Sequence, residues 1–314
     1  METVLTTSPA EAAEFIKNGG ICAFPTETVY GLGADIFDEA AIGKIFTAKS
    51  RPSDNPLIAH IGDPDQIAVL TAEVPDIARI LIEAFFPGPL TIVLPKKDEI
   101  PQLASAGLDT IGIRMPRNRT AIEFLSHCGV PLVAPSANLS GKPSPTTWQA
   151  VYEDLSGRID CILQGEVTEF GLESTVVDCS GDSPLVLRTG ALSIEEIQNV
   201  LPSIRIYEVS GTEKPRSPGL RHKHYSPEAK VFLVSNEEEF LVSEGRNAFI
   251  GLKMPERGFE LTKICDSTEN YARFVFDFFR ECDRQGIGNI YCERVNETGI
   301  GIALMDRLKR ASES

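Results

Sequence analysis

Lys49 and Arg51 stand one residue apart in KSRPSDNPLIAH, just ahead of a proline-stiffened turn. A lysine offers a mobile point charge and an arginine a planar fork, and together they suit the oxygens of a triphosphate. The stretch reads equally as a solvated basic loop in which Asn55 caps a turn and His60 is satisfied in the core. Arg114 is more awkward, because it interrupts the apolar run TIGIRMP, where a lone buried cation would be costly. It requires an anionic partner, either an acidic residue of the chain or a carboxylate ligand.

Other candidates are short hydroxyl and amide side chains. FPTETVYGLGAD, residues 24–35 with Thr28 inside, is rich in hydroxyls and glycine. It reads as a substrate loop or as a strand-turn-helix corner with a capping threonine. APSANLSGKPS, residues 134–144, joins Ala134, Ser136, Asn138 and Ser144 in a loop able to present backbone N–H groups and hydroxyls to an anion. The Walker spacing and the G-x-G-x-x-G fingerprint are both missing from the sequence, so a nucleotide here would be held by another geometry. Ser174 in ESTVVD and Arg188 in VLRTGA add a hydroxyl and a further fork at strand ends. No G-x-S-x-G elbow, H-E-x-x-H motif or cysteine with an evident histidine partner offers a covalent nucleophile or a metal site.

The elements that must position these residues alternate from about residue 10 to 198. GGICAFP, PLIAHI, LTIVLP, TIGIRMP, VPLVAPS, CILQG and STVVDC are short apolar runs bounded by glycine, proline or serine, as strands are. AAEFIKN, DEAAIGKIFTAK, DIARILIEAF, TAIEFLSHC and TWQAVYEDL repeat apolar residues at helical spacing. PGPLT is a rigid turn. The pattern predicts an α/β or α+β domain built on a twisted sheet. Residues 199–229 hold four prolines and bring Lys214, Arg216, Arg221, His222, Lys223 and His224 together. They form a passive tether, or a lid that lies over a polyphosphate. Residues 230–314 predict a small Rossmann-like α/β domain, with KVFLVS, NAFIGLK and GIGNIYCERV as strands. EEEFLVSEG, STENYARFVFDFFRECDRQG and IGIALMDRLKRAS would be its helices.

Composition limits the partners. A chain of 314 residues, 42% hydrophobic, can bury a sizeable core, while a net charge of −15 opposes stable nucleic-acid binding. Seven scattered cysteines without a C-x-x-C pair fit a reducing compartment. The N-terminal stretch lacks the pattern of a signal peptide, and no apolar run approaches the roughly 20 residues that span a bilayer. The expectation is a cytoplasmic protein with no membrane partner.

In order along the chain, PTETVYGLGAD, KSRPSDNPLIAHI, PGPLTIVLPK, IGIRMPRN, PLVAPSANLSGKPSPT, ESTVVD and VLRTGAL resemble the threonylcarbamoyl-AMP synthase family over residues 8–198. The following SPGLRHKHYSP and small α/β domain are similar to its longer Sua5 form, rather than to the single-domain YrdC form. The resemblance implies a YrdC-like twisted mixed sheet and an enzyme, a nucleotidyltransferase, that condenses L-threonine, bicarbonate or carbon dioxide, and ATP into threonylcarbamoyl-AMP. That product would serve threonylcarbamoyladenosine formation at position 37 of tRNAs reading codons that begin with A, through a downstream transferase met transiently. Thr28, His60, Arg114 and Ser174 would then hold threonine. Lys49, Arg51, Asn55, Thr110, Ala134, Ser136, Asn138, Ser144, Arg188, His224 and Tyr225 would surround ATP, with Lys49 and Arg51 catalytic and Mg2+ carried on the phosphates.

Three readings compete; one is a regulatory ligand-binding protein with no turnover, which pyrophosphate release measured with and without threonine would distinguish. An RNA-binding YrdC-like module without turnover is opposed by the acidic charge and by the lack of aromatics interleaved with basic residues. A carbamoyl-transfer domain of a maturation factor would bring a zinc-finger cysteine pattern that this sequence lacks.

Overall fold

The computed structural model describes residues 2–207, 225–236, 239–240 and 245–313. Eleven strands form the first sheet: β1 (Val4–Thr6), β2 (Cys22–Phe24), β3 (Gly31–Asp35), β4 (Ile58–His60), β5 (Leu90–Pro95), β6 (Thr110–Arg114), β7 (Leu132–Val133), β8 (Cys161–Leu163), β9 (Thr175–Asp178), β10 (Leu185–Arg188) and β11 (Arg205–Ile206). Their spatial order is β1-β8-β2-β3-β7-β4-β6-β5-β9-β10-β11. The pairing is mixed: β4 and β6 run parallel, as do β5 and β9, while β7 opposes both β3 and β4. Two sequence expectations needed more than periodicity. The glycine-rich stretch after Phe24 continues as β3, antiparallel to β2, and Arg205–Ile206, inside the stretch read as linker, pairs with β10.

The short strands are apolar on both sides because both faces of the sheet are covered. Alternation divides neighbouring residues between two cores. Ala23, Ile162 and Val133 join the larger cluster with Ile42, Leu57, Leu81, Ile92 and Ile113. Cys22, Phe24, Cys161, Leu163 and Leu132 turn the other way. They meet Ile16 of the helix Pro9–Lys17 and Phe124 of the helix Arg119–Cys128.

Four parallel strands make the second sheet: β12 (Lys230–Val234), β13 (Asn247–Gly251), β14 (Leu261–Ile264) and β15 (Asn289–Glu293), in the order β12-β15-β13-β14. Helices Thr268–Arg284 and Ile300–Ser312 bury Phe276, Phe279, Leu304 and Leu308 with Ile250 and Ile290. Phe249 and Tyr291 face the opposite side. Leu172, from the segment just before β9, belongs to this second core, so the two units share apolar contact. Among the described residues, no helix is long and apolar enough to cross a membrane.

Candidate active site

One pocket gathers most of the residues singled out in the sequence. Arg51, His60, Arg114, Ala134, Ser136, Asn138, Ser144, Ser174, Arg188 and Tyr225 all line it. β4 and β6 are parallel and in register, which sets His60 beside Arg114 where both strands end. Ser174 immediately precedes β9, and Arg188 closes the antiparallel β10 beside it, opposite Val176.

Arg114 has its anionic partner within the chain. Its Nη2 donates to Glu27 Oε1 at 2.7 Å in an almost fully buried ion pair, and reaches Thr26 Oγ1 at 3.4 Å. Its Nε has no hydrogen-bond partner among the described residues. The same is true of Arg51 Nε and of both amide atoms of Asn55. Buried polar groups are normally satisfied, so these atoms are open to a further polar partner. Arg51 is otherwise held by one bond, from Nη2 to the Asn55 carbonyl at 3.3 Å. Burial lowers its pKa to about 10, which leaves it charged at neutral pH. Arg188 donates through Nε and Nη2 to the Ser174 carbonyl at 3.2 and 2.9 Å, and Nη2 also reaches Ser174 Oγ at 3.2 Å. Ser174 Oγ in turn shares a hydrogen bond with Thr91 Oγ1 at 2.8 Å.

His60 Nδ1 lies 3.1 Å from the Ile58 carbonyl. A carbonyl can only accept, so Nδ1 carries the proton and Nε2 keeps a lone pair. Burial, reinforced by Arg114, lowers its pKa to about 3. The imidazole is therefore neutral throughout the physiological range.

Lys49 departs from its expected place. The helix Glu39–Lys49 is capped by Asp38 and ends at Ser50 in the left-handed region, φ 52°. That reversal sends Lys49 and Arg51 in different directions. Lys49 Nζ is buried beneath the 134–144 loop and donates to the carbonyls of Ser136 and Asn138 at 2.5 and 2.6 Å. Burial, with Arg51 nearby, pulls its pKa well below that of an ordinary lysine. It braces the loop rather than lining the pocket. Thr28 is likewise buried behind the wall, 2.9 Å from Thr26 Oγ1. Thr110 opens β6, at the opposite end of the strand from Arg114. His224 and the rest of residues 208–224, read as a lid, lie outside the described residues.

The loop is internally tied. Ser136 Oγ donates to Asn138 Oδ1 at 2.6 Å, and Asn138 Nδ2 donates to the Leu139 and Lys142 carbonyls, both at 2.8 Å. Four further lining residues with polar side chains were not assigned from sequence: Thr26, Tyr30, Lys142 and Glu173. Each sat inside a motif already quoted, but nothing in the spacing separated wall from support. Tyr30 accepts from the Gly165 amide at 3.1 Å. Glu173 Oε1 accepts from Ser144 Oγ at 2.6 Å, and Oε2 pairs with Arg307 Nε at 3.0 Å. Burial alone would raise the Glu173 carboxyl, but Arg307, then Arg188 and Ser144, hold it below the usual range. With both oxygens engaged, it does not fit a protein-held divalent ion, and the described residues hold no cluster of metal-ligating side chains.

A set of cations, hydroxyls and a neutral histidine gathered in one pocket on a twisted mixed sheet defines a class of site suited to positioning anionic substrates. Two family models match the chain, one described as telomere recombination (Sua5, YciO and YrdC) over residues 14–190, the other as the threonylcarbamoyl-AMP synthase C-terminal domain over 192–313. Threonylcarbamoyl-AMP synthases of Pyrococcus abyssi and Bacillus subtilis are 42% and 40% identical to it, each over 96% of this chain and over 93% and 92% of their own lengths. The crystal structure of Pyrococcus abyssi Sua5 complexed with L-threonine superposes with a TM-score of 0.92 at 40% identity, covering 99% of this chain and 97% of that one. Escherichia coli YciO matches 60% of the chain, and 94% of its own, with a TM-score of 0.53 at 25% identity. The chain belongs to the threonylcarbamoyl-AMP synthase family, in its longer Sua5 form, and is an enzyme of the nucleotidyltransferase kind.

Proposed function

We propose that the chain joins L-threonine, bicarbonate or carbon dioxide, and ATP into L-threonylcarbamoyladenylate with release of pyrophosphate. The setting is the cytoplasm, and a tRNA-modifying transferase collects the adenylate in a transient encounter. The observation that carries this reading is a single pocket lined together by Arg51, His60, Arg114, Ser136, Ser144, Ser174 and Arg188, with the buried amide of Asn55 behind Arg51 unpartnered among the described residues.

Arg114 keeps an unengaged Nε beside its Glu27 pair, and that edge would take the threonine carboxylate. Neutral His60 would accept from the threonine hydroxyl or amine through Nε2, and Ser174 Oγ would complete the cradle. Thr28 would act through Thr26. The unpaired Nε of Arg51 and amide of Asn55, with Arg188, would face the phosphates. Lys49 would contribute by fixing the Ser136 and Asn138 carbonyls, so that the loop presents its amides and hydroxyls to the nucleotide. Mg2+, when present, would arrive on the ATP phosphates as part of the substrate, and no step is derived through it.

The chemistry then needs mainly position. Threonine's deprotonated amine forms a bond to the carbon of carbon dioxide and gives up a proton to solvent, leaving a carbamate. A carbamate oxygen forms a bond to the α-phosphorus while the bond from that phosphorus to the bridging oxygen breaks, and pyrophosphate leaves. Charge neutralisation by the arginines and exclusion of water supply the acceleration. Mass spectrometry after incubation with ATP, threonine and bicarbonate tests the reading. The threonylcarbamoyl adenylate should form only when all three are present; pyrophosphate release indifferent to threonine would overturn it.

A further inference from the structure

Outside the pocket, two buried arginines of the second unit cross to the first. Arg280, on the helix Thr268–Arg284, pairs with Asp154 at 2.7 Å and donates to the Pro143 carbonyl. Arg307, on the helix Ile300–Ser312, is 1% exposed, the largest side chain so enclosed, and it does not itself line the pocket. Its fork reaches several parts of the pocket wall at once. Nε pairs with Glu173 Oε2 at 3.0 Å, Nη2 donates to the Thr189 carbonyl at 3.0 Å, and the guanidinium carbon lies 5.2 Å from the Tyr225 ring centroid. Nη1 is anchored by its neighbour Asp306 at 2.6 Å.

Each partner leads into the site. Glu173 and Tyr225 are lining residues, the other oxygen of Glu173 holds the lining Ser144, and Thr189 follows Arg188 in the chain. Among the described residues lining this pocket, Glu173 is the single carboxylate. Left uncompensated, it would repel a polyphosphate. Tyr225 is stacked on Phe276 at 5.4 Å and sits at φ 70°, a conformation costly for a residue with a side chain and kept only where surroundings enforce it. Arg307 and Phe276, both from the second unit, pack against its ring.

We propose that Arg307 is a positioning residue for the nucleotide half of the pocket. It cancels the Glu173 charge, and it fixes Ser144, the Arg188–Thr189 strand end and Tyr225 in the arrangement that receives ATP. The second unit is thereby part of the ATP site through a side chain that touches no substrate. This inference rests on the assignment of ATP to this pocket. Lysine cannot replace the fork, since one ammonium cannot serve Glu173, Thr189 and the Tyr225 face together.

The test uses the full chain and compares wild type, Arg307→Lys, Arg307→Gln and the double variant Arg307→Gln with Glu173→Gln. Thermal melting establishes folding, and pyrophosphate release gives kcat and both KM values. The KM for ATP should rise at least tenfold in both single variants, while that for threonine changes less than threefold. The double variant, which removes the unpaired buried charge, should recover part of the ATP loss and most of the melting temperature. Should Arg307→Gln not fold, Arg307→Lys and the double variant still carry the comparison. Folded variants whose two KM values are unchanged, or rise together, would overturn the inference. If the wild type forms no adenylate, the proposed reaction fails separately, and calorimetric titration with ATP alone then decides the role of Arg307 by the same tenfold criterion.

Discussion

His60 and Arg114 are register neighbours whose charges are set by opposite demands. Burial takes the His60 pKa from 6.5 down to about 3, so between those values the unfolded chain binds a proton that the folded chain refuses. Stability is therefore full above pH 6.5 and falls as the pH is lowered toward 3. The contribution lost between pH 6.5 and 5 is about 2 kcal/mol. Urea unfolding at pH 7, 6 and 5 should show this slope, and His60→Gln should flatten it; an unchanged slope would mean that His60 titrates normally. Because the imidazole is neutral across that range, its protonation should not shape the rate between pH 6 and 8. Arg114 is paired with Glu27, so truncation to alanine would leave a buried carboxylate alone, at a cost of about 3–5 kcal/mol. Arg114→Lys is the cleaner probe. It keeps the charge and loses the fork, and should raise the threonine KM about tenfold with little change for ATP. An unmoved threonine KM in a folded variant would remove Arg114 from the carboxylate.

Short strands and the turns that end them decide which side chains reach the pocket. The left-handed Ser50 separates Lys49 from Arg51 although one residue lies between them. Gly190, two residues past the end of β10, lets that strand end lie close against the backbone that leads into β9. A Cβ there would lie 2.4 Å from the Glu173 carbonyl oxygen and 2.5 Å from that of Ser174, and backbone atoms cannot rotate aside. Gly190→Ala should push the β10 end away from Glu173 and Ser174, costing about 1–3 kcal/mol as an overpacked site does and weakening both substrates together. Chemical denaturation and both KM values measure it. Wild-type stability in that variant would mean that the strand end can shift freely.

The whole molecule carries a net charge of −15, yet the pocket collects Arg51, Arg114, Arg188 and Lys142 against a single compensated carboxylate. Positive potential is local, which suits small anions and disfavours a polynucleotide. RNA should bind weakly and without the steep salt dependence of a phosphate-tracking surface. Tight binding to tRNA that collapses between 50 and 200 mM salt would return the RNA-module reading to contention. The second unit contributes Arg280, Arg307 and Phe276 around this pocket, so the two units act on one site.

The α/β character of both units was legible in the sequence, because apolar periodicity is a local property, and the resemblance of its motifs to the family named most of the residues that line the pocket. His60, Arg51, Arg114, Ser174 and Arg188 could be named before any fold was known. Tertiary structure decided which of them face the ligand. Lys49 and Arg51 differ by a single left-handed residue, and Thr26 lines the pocket while Thr28 stands behind it, a distinction no spacing encodes. Glu173 gained its significance only when Arg307, 134 residues further along, folded back onto it. Long-range pairings of that kind depend on how two separate cores dock, and docking is a property of surfaces assembled from the whole chain.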